Sequence, residues 1–115
     1  DEEGYTMRSN ILKALGDSDA PDHTSLLVDE MWNSSDARLS QTAAMMLRGE
    51  AAAADDLARA ITSDLPMNTR LEAIASLGAI GTEAARETLS DVAQDDDEHA
   101  RVRSSADQEL ARRFG

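Results

Sequence analysis

Along residues 70–80, RLEAIASLGAI, the apolar side chains Ala73, Ile74 and Leu77 follow Arg70 at the third, fourth and seventh positions. That spacing places them on one face of an α-helix. The pattern recurs along the chain: Ile11, Leu12 and Leu15 follow Arg8, Thr42 and Met45 follow Arg38, and Ala106 and Leu110 follow Arg103. Each arginine is therefore predicted to open a helix with a buried stripe. The four arginines are 30, 32 and 33 residues apart. Between them lies a second recurring stripe, in which Leu27, Leu57 and Leu89 are followed four residues later by Met31, Ile61 and Ala93. The sequence thus reads as a helical hairpin repeated at this period, and a hairpin of this size cannot bury both its faces unless copies stack.

Breakers mark the joints: Gly16 to Ala20, Asn33 to Ser35, Gly49, Asp64 to Pro66, Gly81 and Asp95 to Glu98. Seven helical segments remain, joined by the short connections typical of antiparallel helix pairs. The expected repeats are residues 5–33, 36–63, 67–94 and 98–114, within one domain spanning 1–115. Alanine and leucine dominate and aromatic residues are 3% of the chain, so strands are not expected.

The residues from Asp64 onward closely resemble the HEAT repeat, in the short form named after phycobilisome lyases. The signature is SLGAIG at 76–81, within RLEAIASLGAIGTEAARETLSDVAQDDDEHARVRSSADQELARR at 70–113. The first two copies depart from it, with Asp19 at the Gly81 position in one and MMLRG in the other. The resemblance implies an all-α, right-handed α–α superhelix of about seven helices, three and a half hairpins, with its second helices lining a concave face. It also implies a ladder of turn aspartates six residues ahead of each first-helix arginine. Asp64 with Arg70 and Asp97 with Arg103 fit that spacing, whereas Trp32 stands six before Arg38.

Charge narrows the partners. The net charge is −12, from 23 acids and 11 bases, and Lys13 is the only lysine. Binding to nucleic-acid phosphates or anionic lipid needs a basic face, so neither is expected. An acidic, arginine-biased surface suits a high-salt cytoplasm, and a GC-rich gene would give the same bias. There is no cysteine, no apolar run of membrane-spanning length and no leader-like segment at the start. A soluble, cytoplasmic protein is the working expectation. A chain that opens on Asp1 is expected to be a mature form or a piece of a longer protein carrying further repeats or domains.

No cofactor, metal or catalytic group is expected. Contiguous Asp95-Asp96-Asp97-Glu98 lacks the alternating acids of a calcium loop, and it reads as a solvated turn ahead of a helix, with His99 incidental. Deoxyhypusine hydroxylase, an enzyme built from such repeats, holds iron through His-Glu pairs. Here His23 precedes Thr24 and His99 follows Glu98, so that pair is missing. Neither histidine has the local sequence context of a known serine triad. Met31, Met45 and Met46 are expected in the core. Trp32 either packs between the first two copies or contacts a partner.

The remaining reading is a protein-binding scaffold. Asp22, Thr24 and Asp29 on the first of the second-type helices, Asp55, Asp56 and Arg59 on the next, and Glu83, Arg86, Glu87, Ser90 and Asp91 on the third are predicted to face outward. Such a surface suits a basic segment of another protein. The alternatives are an accessory module related to phycobilin lyases and a structural spacer.

Overall fold

The computed structural model describes residues 23–115, with side chains from Thr24 onward. Six α-helices make up this part, and no strand occurs among the described residues: α1 (His23–Asn33), α2 (Ala37–Met46), α3 (Ala54–Ile61), α4 (Met67–Ile80), α5 (Glu83–Gln94) and α6 (Ala100–Arg113), with a 3-10 turn (Ala51–Ala53) leading into α3. The helix expected around Arg8, with Ile11, Leu12 and Leu15, lies outside the described residues, as does Asp22.

Local chemistry sets the ends. Asp36 is extended and its side chain accepts from the Arg38 amide at 2.9 Å, capping α2. Thr82 caps α5 by accepting from the Ala85 amide at 3.1 Å. Pro66 precedes α4, where its missing N–H costs nothing, and Gly81 stops α4 in the left-handed region at φ 74°. His99 is not incidental: its ring Nδ1 accepts from the Arg101 amide at 3.0 Å and caps α6. Thr82→Ala is expected to destabilise the fold by about 1 kcal/mol, read from urea unfolding.

The helices pack in two layers. α2, α4 and α6 lie side by side in one, with α2 against α4 and α4 against α6. α1, α3 and α5 form the other, each packed on its neighbour in the first layer. The core between them is built from Leu27 and Met31 of α1, Leu39, Ala43 and Ala44 of α2, Leu57, Ala60 and Ile61 of α3, Ala73, Ile74 and Leu77 of α4, Ala85, Leu89 and Val92 of α5, and Val102 and Ala106 of α6. Leu47, just past α2, joins them. Alanine at so many of these positions lets the helix backbones approach closely.

The register of the second copy differs from the expected one. Arg38 remains in solvent with its guanidinium folded back on Asp36, and Met45 is 40% exposed. The buried set is Leu39, Ser40, Ala43, Ala44 and Leu47. Ser40, not Arg38, occupies the place that Arg70 holds in the third copy. Ser40 Oγ donates to the Met31 carbonyl at 2.6 Å, and Arg70 Nε donates to the Ile61 carbonyl at 2.7 Å, each reaching nine residues back. Met31 is fully buried and Met46 is half-buried, so two of the three methionines are in or against the core.

Buried hydroxyls join α2 to α4. Thr69 Oγ1 donates to Ser40 Oγ at 3.1 Å, and Ser76 Oγ donates to the Ala44 carbonyl. Each of the buried hydroxyls of Ser40, Thr69 and Ser76 therefore has a partner.

Candidate protein-binding surface

Helix periodicity fixes which residues of α1, α3 and α5 face away from the core. Burying Leu27 and Met31 leaves Asp29 outward, burying Leu57 and Ile61 leaves Asp55 and Arg59 outward, and burying Ala85 and Leu89 leaves Glu83, Arg86, Glu87 and Asp91 outward. Thr24, Asp56 and Ser90 are half-buried. Trp32 is also half-buried and packs against the core, which favours the packing role over partner contact.

Several of these groups are satisfied inside the fold. Thr24 Oγ1 donates to Glu50 Oε2 at 3.3 Å, Asn33 donates to Asp29 at 3.2 Å, and Gln94 donates to Ser90 Oγ at 3.0 Å. Arg59 pairs with Asp56 at 2.6 Å and Arg86 with Glu83 at 2.7 Å. The Glu83 carboxylate holds the Arg86 guanidinium above its ordinary pKa. Asp55, Glu87 and Asp91 are exposed, and no described hydrogen bond or ion pair engages their side chains. The carboxylates of this face that meet no described cation are thus Asp55, Asp91 and Asp29, the last bonded only to the neutral Asn33 amide, whereas Glu87 acts on Arg86 through its charge.

The structure brings α5 and α6 together around an open groove of about 450 Å³, lined by Arg86, Glu87, Ser90 and Asp91 on one wall and by Asp107, Leu110 and Phe114 on the other. A second hollow of about 420 Å³ continues it past Gln94, Arg103 and Ser104. The α6 wall was not among the residues singled out from sequence. Its signal is Asp107, which stands four residues after Arg103 where Ile74 stands four after Arg70.

The inter-repeat joint corrects the expected ladder. Asp64 and Asp97 are both exposed, and neither side chain takes part in a described hydrogen bond or ion pair. The pairing across the joint is made by Glu98, whose Oε1 accepts from Arg70 Nη2 at 2.5 Å with the side chains 11% and 13% exposed. An Asx turn explains the switch: the Asp97 amide donates to Asp95 Oδ1 at 3.0 Å, and Glu98 is the residue that reaches Arg70. Burial alone would raise the Glu98 carboxyl. The His99 amide and the Arg70 guanidinium outweigh it and hold the group below its ordinary pKa. Arg103 does not pair with Asp97; its Nη1 lies 3.7 Å from Asp96 Oδ1, and its buried Nε has no partner.

Among the described residues no three His, Cys, Asp or Glu side chains converge where a metal ion could sit. No described helix is long and apolar enough to cross a membrane.

A family model for HEAT repeats matches residues 33–111, from the end of α1 to the last turns of α6. The chain has no significant match among curated proteins or among solved structures.

Proposed function

The chain belongs to the HEAT-repeat family, and on that premise we propose that it is a non-catalytic protein-binding module whose acidic face takes a basic segment of another protein. HEAT repeats commonly mediate protein–protein interaction, because stacked hairpins present a long surface from rigid helices. The observation that carries the charge preference is the set Asp29, Asp55 and Asp91, exposed on α1, α3 and α5 and without a described ion pair to a cation. We assign the repeat to the short phycobilisome-lyase-like form on SLGAIG, where Gly78 sits in the tight approach of α4 to α6 and Gly81 ends α4.

The test is binding of a labelled lysine–leucine peptide and of its glutamate–leucine counterpart, each followed by anisotropy as salt is raised. The cationic peptide is expected to bind and to weaken by about tenfold between low and physiological-to-high salt, with no binding of the anionic one. Equal binding of both peptides, or none of either, would remove the support for an acidic docking face.

A further inference from the structure

Eight of the nine described arginines form an ion pair with a carboxylate, and Arg101 does not. In a chain with 23 acids and 11 bases, an unengaged guanidinium is the exception. Arg101 stands at the start of α6. Together with Ser104, Ser105 and Gln108 it forms one wall of a hollow of about 320 Å³, and Leu71 of α4 forms the other. No acid is among these lining residues, and none of the four polar side chains takes part in a described hydrogen bond or ion pair.

Polar groups elsewhere in the same layer do find partners. Thr42 Oγ1 donates to the Arg38 carbonyl at 2.8 Å, and Arg48, just past α2, reaches across to Glu72 of α4 at 3.4 Å. The period of 33 residues puts Ser105 where Glu72 stands, so the α4–α6 furrow lacks the acid that engages a cation between α2 and α4. Both walls of this furrow are present in the fold. At about 100° per residue, Arg101 lies about 180° round α6 from Leu110, so a further hairpin packed on the Leu110 side would leave it in solvent. Asn68 is its equivalent on α4. It stays exposed although α6 packs beside α4.

We propose that this outer furrow is a second interaction surface, on the other layer from the acidic face, and that it takes a single aspartate or glutamate side chain of a partner protein with an apolar neighbour laid on Leu71. Donor chemistry selects the occupant: a guanidinium, two hydroxyls and a carboxamide can all donate to a carboxylate, the guanidinium in bidentate fashion. The net charge of −12 limits how many acids come with it. A polyanion such as nucleic acid, or a run of glutamates, is repelled as a whole, whereas one carboxylate in a neutral stretch adds little repulsion. The fitting segment is therefore near-neutral, distinct from the basic one proposed for the acidic face.

The experiment is a titration of the isotope-labelled chain, followed by amide NMR shifts, with an end-blocked peptide holding one glutamate between leucines and serines. Its glutamine counterpart is the control. The glutamate peptide is expected to shift the amides of Ser104, Ser105 and Gln108 at about millimolar concentration, and the glutamine peptide to bind about fivefold less tightly. Arg101→Gln removes no described side-chain contact; it is expected to lower affinity for the glutamate peptide by about the same factor and to erase the difference between the two peptides. Arg59→Gln removes one exposed cation from the other layer and is expected to change affinity less than about twofold. Equal affinity for the two peptides, or a glutamate preference that survives Arg101→Gln, would overturn the carboxylate site. Shifts from inorganic phosphate with none from the glutamate peptide would also overturn it. The lysine–leucine peptide tests the acidic face separately, so either surface can fail alone.

Discussion

Arg70→Ala is expected to lower stability at neutral pH by about 2–3 kcal/mol, because it removes both bonds of a guanidinium that ties three elements together. Arg70 Nε holds the Ile61 carbonyl at the end of α3, and Nη2 holds Glu98 ahead of α6. Without it, the 11% exposed Glu98 carboxylate keeps its desolvation and loses its cation. Glu98→Ala is expected to cost less, since Arg70 retains the Ile61 carbonyl, and Asp97→Ala is expected to be close to neutral. Urea unfolding of the three variants checks the order; equal losses for Asp97→Ala and Glu98→Ala would sink this assignment of the joint.

The sign of the pH dependence follows from Glu98. Its carboxyl is held below the ordinary value of 4.5 in the fold, so it contributes stability above that value and loses it as pH falls through the lower folded pKa. In Arg70→Ala the His99 amide still opposes burial but the guanidinium is gone, so the Glu98 carboxyl is held down less strongly than in the wild type. The stability gap between wild type and Arg70→Ala should therefore be full near neutrality and shrink below about pH 4. A gap independent of pH would show that the Ile61 carbonyl bond carries the whole effect.

Gly78→Ala is the second large effect, and its sign is diagnostic. In an isolated helix, alanine would be favoured over glycine by about 0.8–1.0 kcal/mol. Here a Cβ on residue 78 would lie 2.5 Å from Glu109 Cγ and from its Oε1. Glu109 is 6% exposed, and it is clamped by Arg112 at 3.2 Å and Arg113 at 2.8 Å on its own helix. The clash has to be relieved by moving Glu109 off its arginines or by pushing α6 away from α4. Overpacking of this kind outweighs the propensity gain, for a net loss of about 1–2 kcal/mol. In an Glu109→Ala background the obstacle is gone, and the same change should stabilise by up to about 1 kcal/mol. If Gly78→Ala destabilises equally in both backgrounds, the close approach is to something other than Glu109.

These cases show what could be read in the chain and what could not. The helices and their joints were legible because a period near 3.6 residues and breakers such as Pro66 and Gly81 act locally. The register of the second copy was not: both Arg38 and Ser40 stand ahead of an apolar stripe, and only the seam with α4 selects Ser40. The ladder acid was misplaced by one residue, because six-residue spacing cannot sense the Asx turn at Asp95 that leaves Glu98 as the partner of Arg70. The groove wall on α6 was invisible for a further reason. Asp107 looks like an ordinary surface acid until α5 is set beside it.

The sequence by itself determined that the described part of the chain is an all-helical stack of hairpins, which residues form the buried stripes of α1, α3 and α4, and that the net charge is −12. Those properties depend on neighbours within one or two turns of the same helix. On α5 and α6, by contrast, the expected Ala93 and Leu110 are half-buried and Val92, Val102 and Glu109 are buried instead. Only the tertiary structure decided which acid meets Arg70, which glycine is pressed by a side chain from another helix, and which acids gather around Leu110 and Phe114. Each of those depends on the distance between groups that are far apart along the chain, and that distance is set by how the helices pack.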